Sequence, residues 1–299
     1  SSAASDVYKR QILILSGTWL IKTLTKIAQF LRMTEFTAAF LIMAIATSLP
    51  ELFVGVSSAL TGNPALSLGN IVGANILDLT IVTGIIILLG RGLKIKSKKI
   101  KKDALYMSFI LFLPLILFIL GKQISRADGA ILLSAFILYS YRLLKRRKKF
   151  TKAIEDKIKR KEIVINIFVF VISIFVLFLS SRFVVHYAIL LSKELHLPSI
   201  MVGFFLVSLG TTLPELTFGS RAVLMGHGEM ALGDQIGTIV TNTTLILGVT
   251  SLIHPIKTQF TLFLIAAIFM LLVGFLFATF TESGSKLDIK EGISMILLY

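Results

Sequence analysis

The sequence predicts an all-α, polytopic membrane protein built from two inverted five-helix repeats. Composition predicts the membrane: 55% of the 299 residues are hydrophobic and only 16% are charged. The mean hydropathy of +0.88 is well above that of soluble globular domains. An internal repeat with an odd number of helices predicts the inversion. We therefore expect ten transmembrane helices in the intact protein, with the first and the last truncated here.

Eight apolar stretches are close to the length of about 20 residues that a helix needs to cross a bilayer. They occupy residues 36–60, 68–89, 104–120, 129–144, 163–181, 199–225, 230–253 and 259–280. Two shorter apolar stretches lie near the ends of the chain, at 12–20 and 292–299. We interpret these two as partial helices.

We divide the chain into four segments. The polar opening SSAASDVYKRQ, residues 1–11, lacks the basic start and apolar core of a signal peptide, and we interpret it as a non-native leader. Repeat unit 1 covers residues 12–144, and a basic linker covers 145–162. Repeat unit 2 covers 163–299 and is expected to be truncated at its C-terminus.

The repeat becomes visible when ATSLPELFVG, from residue 46, is placed over GTTLPELTFG, from residue 210. The register holds without a gap for 40 residues at an offset of 164, and 13 positions are identical, which indicates two copies of one unit. The same offset pairs residues 12–20 with the end of the stretch at 163–181, so each copy has five helices. Because five is odd, the second copy enters the membrane from the opposite side, as in many inverted-repeat proteins.

The positive charge supports this topology. It is concentrated in the loop 91–102, with seven Lys or Arg, and in 141–162, whereas the loop equivalent to the first, near 252–258, has a single lysine. Basic loops mark the cytoplasmic side, so equivalent loops are expected on opposite faces, with the linker in the cytoplasm. The basic loops carry no recognisable nucleic-acid module. The net charge of +15 therefore predicts contact with membrane lipids and no nucleic-acid partner.

Each unit carries a carboxylate directly after a proline inside an apolar stretch, in TSLPELFVG (47–55) and TTLPELTFG (211–219). Pro50 has no N–H for the carbonyl four residues earlier, so the helix is expected to break there. Thr47, Ser48 and Glu51 project to one side of the same turn. The other unit repeats the arrangement with Thr211, Thr212 and Glu215. Carboxylate, hydroxyl and carbonyl oxygens are the ligands that hard cations such as Ca²⁺ and Na⁺ prefer.

A simple proline kink would explain the prolines and the hydroxyls but not the two glutamates. A carboxylate at the centre of a bilayer costs about 3 kcal/mol or more, and by default it marks a functional site. We therefore predict that Glu51 and Glu215 belong to a cation site. The chain has no cysteine, its four histidines form no metal-ligand pattern, and no nucleophile–base pair is evident. We expect no enzyme activity and no cofactor.

The second half of each unit adds polar groups spaced by four residues, which share one face of a helix. They are Asn70, Ala74 and Asp78 in unit 1, and Asp234, Thr238 and Asn242 in unit 2. We expect Asp78, the third intramembrane acid, to face the same site. Asn70 and Asp234 each follow a glycine at the predicted start of a helix, so they are either helix N-caps or part of the path by which the ion enters.

The two segments resemble the paired alpha-repeats of the cation/Ca²⁺ exchanger superfamily, and most closely its prokaryotic Na⁺/Ca²⁺ exchanger branch. The resemblance implies a calcium/sodium antiporter of a prokaryotic inner membrane, with ion sites at mid-membrane between the second and third helices of each unit. The ligands that it implies are Thr47, Ser48, Glu51, Thr211, Thr212, Glu215, the carbonyls of Ala44 and Ser208, and the later positions Asp78, Thr238 and Asn242.

This chain departs from the family pattern at two places. The pattern has a serine 23 residues after the first glutamate, where this chain has Ala74, and the lost hydroxyl calls one Na⁺ site into question. The pattern also has Asn after the first glutamate and Asp after the second, whereas this chain has Asp78 and Asn242 in the reverse order. Three acids remain to neutralise a divalent cation.

We therefore predict an antiporter in which Glu51 and Glu215 share one Ca²⁺, and the same oxygens alternatively hold several Na⁺ ions or protons. An H⁺/Ca²⁺ exchanger of the same fold is the nearest alternative, and the missing hydroxyl at Ala74 slightly favours it. A cation channel would also use rings of acids, but coupled uphill Ca²⁺ movement would exclude it. An intramembrane enzyme with the two glutamates as an acid–base pair would need a substrate anchor that the sequence lacks. The sequence leaves the oligomeric state open.

Overall fold

A computed structural model describes residues 35–95, 98–145, 187, 189–191, 193–284 and 286–299. The leader, the predicted helices at 12–20 and 163–181, and nearly all of the linker lie outside these residues.

The described part of unit 1 contains five helices and a short strand. They are α1 (35–47), α2 (Leu49–Leu60), α3 (Pro64–Leu89), β1 (Leu93–Lys94), α4 (Lys98–Gly121) and α5 (Arg126–Lys145). Two of the helices contain a π-helical turn, α1 at Ala39–Met43 and α3 at Asp78–Val82. Such turns are frequent at functional sites, and both lie next to predicted site residues.

Unit 2 repeats the order of the helices, with its strand before the last helix. Its elements are α6 (199–211), α7 (Leu213–Leu224), α8 (Gly228–Ile253), α9 (Phe260–Ser283), β2 (Lys286–Leu287) and α10 (Ile289–Leu297). The π-helical turns recur at Gly203–Val207 in α6 and at Thr241–Ile246 in α8. The two units are thus built alike down to the irregular turns of their helices.

Six helices in the described part of the chain are long and apolar enough to cross a membrane, or seven if α1 and α2 form one bent span. Their bounds confirm the stretches predicted from hydropathy to within a few residues. In α3 and α8, 83% and 78% of the most apolar stretch is buried, against 39% in α4 and α9. The helices α3 and α8 therefore form the protein core, and α4 and α9 present apolar side chains to lipid.

The inversion is visible where α3 crosses α8. Three buried pairs of polar side chains follow the crossing, each joined by a hydrogen bond of 2.9–3.2 Å: Ser67–Thr250, Asn75–Thr243 and Thr83–Gln235. As the residue number rises along α3, the number of the partner falls along α8. Equivalent helices of the two units therefore run antiparallel, which confirms the inverted repeat.

The inversion is repeated at the ends of the helices by two short antiparallel contacts. Strand β1, after α3, pairs with β2, before α10, and Leu93 lies opposite Leu287. In the equivalent place Ile256, after α8, bridges to Ile124, before α5. The segment after each core helix thus pairs with the segment before the last helix of the other unit.

Glycines let the core helices approach the broken helices closely, as small residues commonly do in membranes. A Cβ atom added to Gly73 of α3 would lie 2.8 Å from Oγ of Ser208, and one added to Gly237 of α8 would lie 2.6 Å from Cβ of Ala44. The same holds one turn earlier for Gly69 against Ile200 and for Gly233 against Phe36. This packing brings α3 against α6, and α8 against α1.

We expect Gly73→Ala and Gly237→Ala each to destabilise the protein by about 1–3 kcal/mol, because the added methyl group overpacks a close helix contact. The midpoint of thermal unfolding in detergent measures this effect. Gly210→Ala is the matched control, because a Cβ atom there would meet nothing within 4 Å. A midpoint for either core variant as high as that of the control would contradict the prediction.

Candidate cation site

The helix break predicted from Pro50 is present. Helix α1 ends at Thr47, Ser48 separates it from α2, and Pro50 lies in the first turn of α2. The axes of the two helices differ by 50°. In unit 2 the residue Thr212 interrupts the chain between α6 and α7 in the same way, but the two helices form a single span with a smaller bend.

Every residue predicted to contribute a ligand is buried, and none is more than 7% exposed. Glu51, Glu215, Asp78 and Asn242 have no exposed surface. The other predicted ligand residues are also buried: Ala44, Thr47, Ser48, Ser208, Thr211, Thr212 and Thr238. The site therefore lies in the interior, where the two broken helices meet α3 and α8.

The carboxylates of Glu51 and Glu215 lie close enough to repel each other. Asp78 is also within reach of the charge of Glu215. None of these three carboxylates has a hydrogen-bond partner among the described residues. Removing a charge from water without pairing it costs several kcal/mol for each ion. The geometry thus gathers negative charge from both units at a place that requires a positive counter-charge.

The first hydroxyl of each signature faces the glutamate of the other unit. The Thr47 hydroxyl faces Glu215, and the Thr211 hydroxyl faces Glu51. Oγ1 of Thr47 lies 3.5 Å from Oγ1 of Thr238 on α8. Each half of the site therefore depends on a residue from the other repeat.

The carbonyls of Ala44 and Ser208 hold these hydroxyls in place. Oγ1 of Thr47 donates to the Ala44 carbonyl at 3.3 Å, while Thr211 and Thr212 donate to the Ser208 carbonyl at 3.3 and 3.0 Å. A hydroxyl that donates its proton to a carbonyl keeps its lone pairs for another partner. The hydroxyl oxygens are therefore oriented as acceptors, as a cation requires. The Ser48 hydroxyl is buried and has no partner in the described part of the chain.

Asn242 is held by Asn75, which is not among the predicted ligands. Nδ2 of Asn242 donates to Oδ1 of Asn75 at 3.2 Å, and Nδ2 of Asn75 donates in turn to Oγ1 of Thr243 at 2.9 Å. The carbonyl oxygen of the Asn242 amide is left buried without a described partner. Asn75 thus forms hydrogen bonds between helices of different units, as a polar residue in a helix interior can.

Asp234 is a buried acid near two of the three already named, and the structure excludes its interpretation as a helix N-cap. Helix α8 begins six residues earlier at Gly228, with His227 as its N-cap. Asn70 is likewise inside α3, whose N-cap is Asn63. Asp234 has no exposed surface, lies beside Glu215 and faces the hydroxyl of Thr47. Its spacing of four residues from Thr238 was the signal that could have placed it in the site.

Within the described residues, no three acidic or histidine side chains converge as a metal-binding group by themselves. The groups that face the acids are instead the hydroxyls of Thr47 and Thr211. Carboxylate and hydroxyl oxygens are ligands that hard cations such as Na⁺ and Ca²⁺ prefer.

Known proteins share this architecture. The model of the family described as "Sodium/calcium exchanger protein" matches residues 11–145 and 165–299. The chain belongs to this family. It is 24% identical to the sodium/calcium exchanger MaX1 of Methanosarcina acetivorans over 96% of this chain and 93% of that protein. It is 27% identical to the uncharacterized membrane protein MJ0091 of Methanocaldococcus jannaschii, over 96% and 92%.

Solved structures of the sodium-calcium exchanger NCX_Mj share the fold. One of them superposes with a TM-score of 0.75 at 24% identity and covers 97% of this chain and 93% of that one. These comparisons confirm the resemblance drawn from the two signature segments. The chain is an integral membrane protein of the prokaryotic exchanger type, with multiple transmembrane helices arranged as two inverted repeats.

Proposed function

We propose that the protein is a secondary antiporter that moves Ca²⁺ across the membrane in exchange for Na⁺. One observation carries the proposal: Glu51 and Glu215, at equivalent positions of two inverted units, lie close enough for their charges to interact, with no exposed surface and no described hydrogen-bond partner. A Ca²⁺ ion between them would neutralise both carboxylates. The names of MaX1 and NCX_Mj as sodium/calcium exchangers support this choice of ions.

The ligands proposed for Ca²⁺ also suit Na⁺, since both are hard cations that bind oxygen. The proposed ligands beside the two glutamates are the hydroxyls of Thr47, Ser48, Thr211 and Thr212 and the carbonyls of Ala44 and Ser208. Asp78, Thr238 and Asn242 complete the set. If several Na⁺ ions use the same oxygens as one Ca²⁺, the site cannot hold Ca²⁺ and the full number of Na⁺ ions at the same time.

Shared ligands make the exchange obligatory. Carboxylates without a bound cation are costly to move past an apolar barrier. The protein therefore changes between its two open states only when Ca²⁺ or Na⁺ neutralises the acids. The inverted repeat supplies the movement, because exchanging the conformations of its two units exchanges the side from which the central site is open. The cycle then links the outward movement of one ion to the inward movement of the other.

An exchange of Ca²⁺ for H⁺ is the second candidate, and one observation favours it. Ala74 supplies only a methyl group where its partner Thr238 supplies a hydroxyl, and Oγ1 of Thr211 is hydrogen-bonded to Oδ1 of Asn70 at 3.1 Å. One of the two symmetric places for Na⁺ is therefore poorer in oxygen. Glutamates can carry protons instead, without needing that hydroxyl.

Uptake of radiolabelled Ca²⁺ into proteoliposomes distinguishes the two candidates. We expect an imposed Na⁺ gradient to drive uptake above the equilibrium level at equal pH, and a pH gradient without Na⁺ to drive none. A Na⁺ ionophore should abolish the uptake, and a protonophore should not. Uptake driven by the pH gradient alone would establish H⁺ as the counter-ion, and passive equilibration under both gradients would indicate a channel.

A further inference from the structure

The repeat relates two corners of the site, and their residues differ in chemistry. The α8 corner, where α8 meets α1, contains Asp234, Thr238, Thr47 and Glu215. The equivalent residues of the α3 corner, where α3 meets α6, are Asn70, Ala74, Thr211 and Glu51. Equivalent helices of the two units build both corners, and the side chains at two of the four positions differ.

The α3 corner offers a cation fewer oxygens. Oγ1 of Thr211 shares its proton between Oδ1 of Asn70, at 3.1 Å, and the Ser208 carbonyl, at 3.3 Å, so Oδ1 of Asn70 already accepts a hydrogen bond. Ala74 contributes only a buried methyl group. Glu51 is the only carboxylate among the four residues, so this corner has one acid and one hydroxyl.

The α8 corner holds two carboxylates instead of one. Both oxygens of Asp234 are buried without a hydrogen-bond partner in the described part of the chain, and its charge lies near that of Glu215. The hydroxyl of Thr47 faces both acids, with Oγ1 of Thr238 3.5 Å away from it. Two carboxylates and two hydroxyls therefore lie near one another in this corner.

Packing does not account for Asp234. Asparagine has nearly the same volume as aspartate, and Asn70 fills the equivalent position of the same fold. An ionised carboxylate only accepts hydrogen bonds, and both oxygens of Asp234 lack a described donor. The acid is explained by a cation, which satisfies both its charge and its lone pairs.

We propose that Asp234 is a fourth acidic ligand of the site and holds one of the exchanged Na⁺ ions at the α8 corner, so that the two halves bind Na⁺ unequally. This inference rests on the proposed exchange of Na⁺ for Ca²⁺. The corner offers two carboxylates and two hydroxyls, which are oxygen ligands that suit a hard cation such as Na⁺. Because Glu215 belongs to this corner and also to the central Ca²⁺ position, Na⁺ bound here competes with Ca²⁺.

The test is equilibrium binding of radiolabelled Ca²⁺ to the purified protein at increasing Na⁺, with Asp234→Asn beside the wild type. The logarithm of the apparent Kd for Ca²⁺ rises with the logarithm of the Na⁺ concentration, with a slope that reports the number of competing Na⁺ ions. We expect Asp234→Asn to lower the slope by about one and to weaken Na⁺ competition about tenfold or more, because a charged ligand is lost.

A second measurement is independent of Ca²⁺. Na⁺ alone should raise the thermal unfolding midpoint of the wild type, because a bound ion stabilises the folded state, and this rise should be smaller in Asp234→Asn. Asp128→Asn is the control: it removes the same charge at the start of α5, where Asp128 accepts from the backbone N–H of Ser125 at 2.8 Å, and it should leave both measurements unchanged.

The outcomes separate this inference from the function on which it rests. An unchanged slope and an unchanged Na⁺ stabilisation in Asp234→Asn, with normal competition in the wild type, would overturn the role of Asp234 alone. Absence of Na⁺ competition in the wild type would overturn the proposed exchange together with it. A lower slope in Asp234→Asn, with the Asp128→Asn control unchanged, is the result that the inference requires.

Discussion

Glu51→Gln and Glu215→Gln should each reduce Na⁺-driven Ca²⁺ uptake about 100-fold or more. Glutamine keeps the shape of the side chain but removes the charge that a Ca²⁺ ion would share with the other glutamate. Losing one partner of a buried charge interaction typically costs 2–5 kcal/mol, and each 1.4 kcal/mol is a factor of ten in affinity. Because the two residues are related by the repeat and both have no exposed surface, the two variants should be impaired to a similar extent.

Glu282→Gln is the matched control for these variants. Glu282 lies exposed near the end of α9, so the same chemical change there should leave uptake within about twofold of the wild type, since exposed charges contribute little. Uptake is measured in proteoliposomes with equal amounts of reconstituted protein, and unfolding midpoints show whether each variant is folded. Normal uptake by a folded Glu51→Gln or Glu215→Gln protein would exclude the proposed ligands.

Asp78→Asn should raise the Ca²⁺ concentration for half-maximal uptake about tenfold, and Asn242→Asp in the same chain should restore part of the loss. Asp78 lies within reach of the charge of Glu215 and has no described hydrogen-bond partner. It occupies the position equivalent to Asn242, so the double variant returns a carboxylate to the site at the position that the repeat relates to 78. A tenfold change corresponds to about 1.4 kcal/mol, within the range of one charge-assisted interaction.

The restoration should be incomplete because the two positions have different neighbours. Nδ2 of Asn242 donates to Oδ1 of Asn75 at 3.2 Å, and an aspartate at 242 would place two acceptors against each other. The half-saturating Ca²⁺ concentration is compared among the wild type, the two single variants and the double variant. The prediction fails if the change in half-saturating Ca²⁺ concentration in the double variant equals the combined changes of the two single variants. In that case the acids at the two positions do not bind the same ion.

The fold could be predicted largely from the sequence because the bilayer restricts it so strongly. Apolar stretches must be helices, their length is set by the bilayer, and the ungapped offset of 164 residues fixes the relation between the units. The antiparallel crossing of α3 and α8 follows from that relation. The bend could not be predicted in the same way: both units have the proline, but the axes of α1 and α2 differ by 50° while α6 and α7 form one span. A missing hydrogen bond permits a bend, and packing around the helix sets its size.

The sequence predicts those residues of the candidate site whose side chains are unusual inside a membrane. It predicts less well the residues whose role depends on contacts between the two units. Glu51, Glu215 and Asp78 stood out as intramembrane acids. Asp234 was a possible N-cap because a glycine precedes it, and the start of α8 at Gly228 removed that interpretation. Asn75 has no polar partner in the repeat, since its equivalent is Ile239, and only the crossing of α3 and α8 reveals its contact with Asn242.

The central claim is that Ca²⁺ and Na⁺ use the same buried oxygens. Equilibrium binding of radiolabelled Ca²⁺ to the purified wild-type protein, at increasing Na⁺ and without any gradient, tests this claim most directly. If the ligands are shared, the apparent Kd for Ca²⁺ rises without a plateau and with a logarithmic slope above one. A Kd that levels off at high Na⁺, or that does not respond to Na⁺, would show that Ca²⁺ keeps its ligands while Na⁺ is present, and would contradict the shared site.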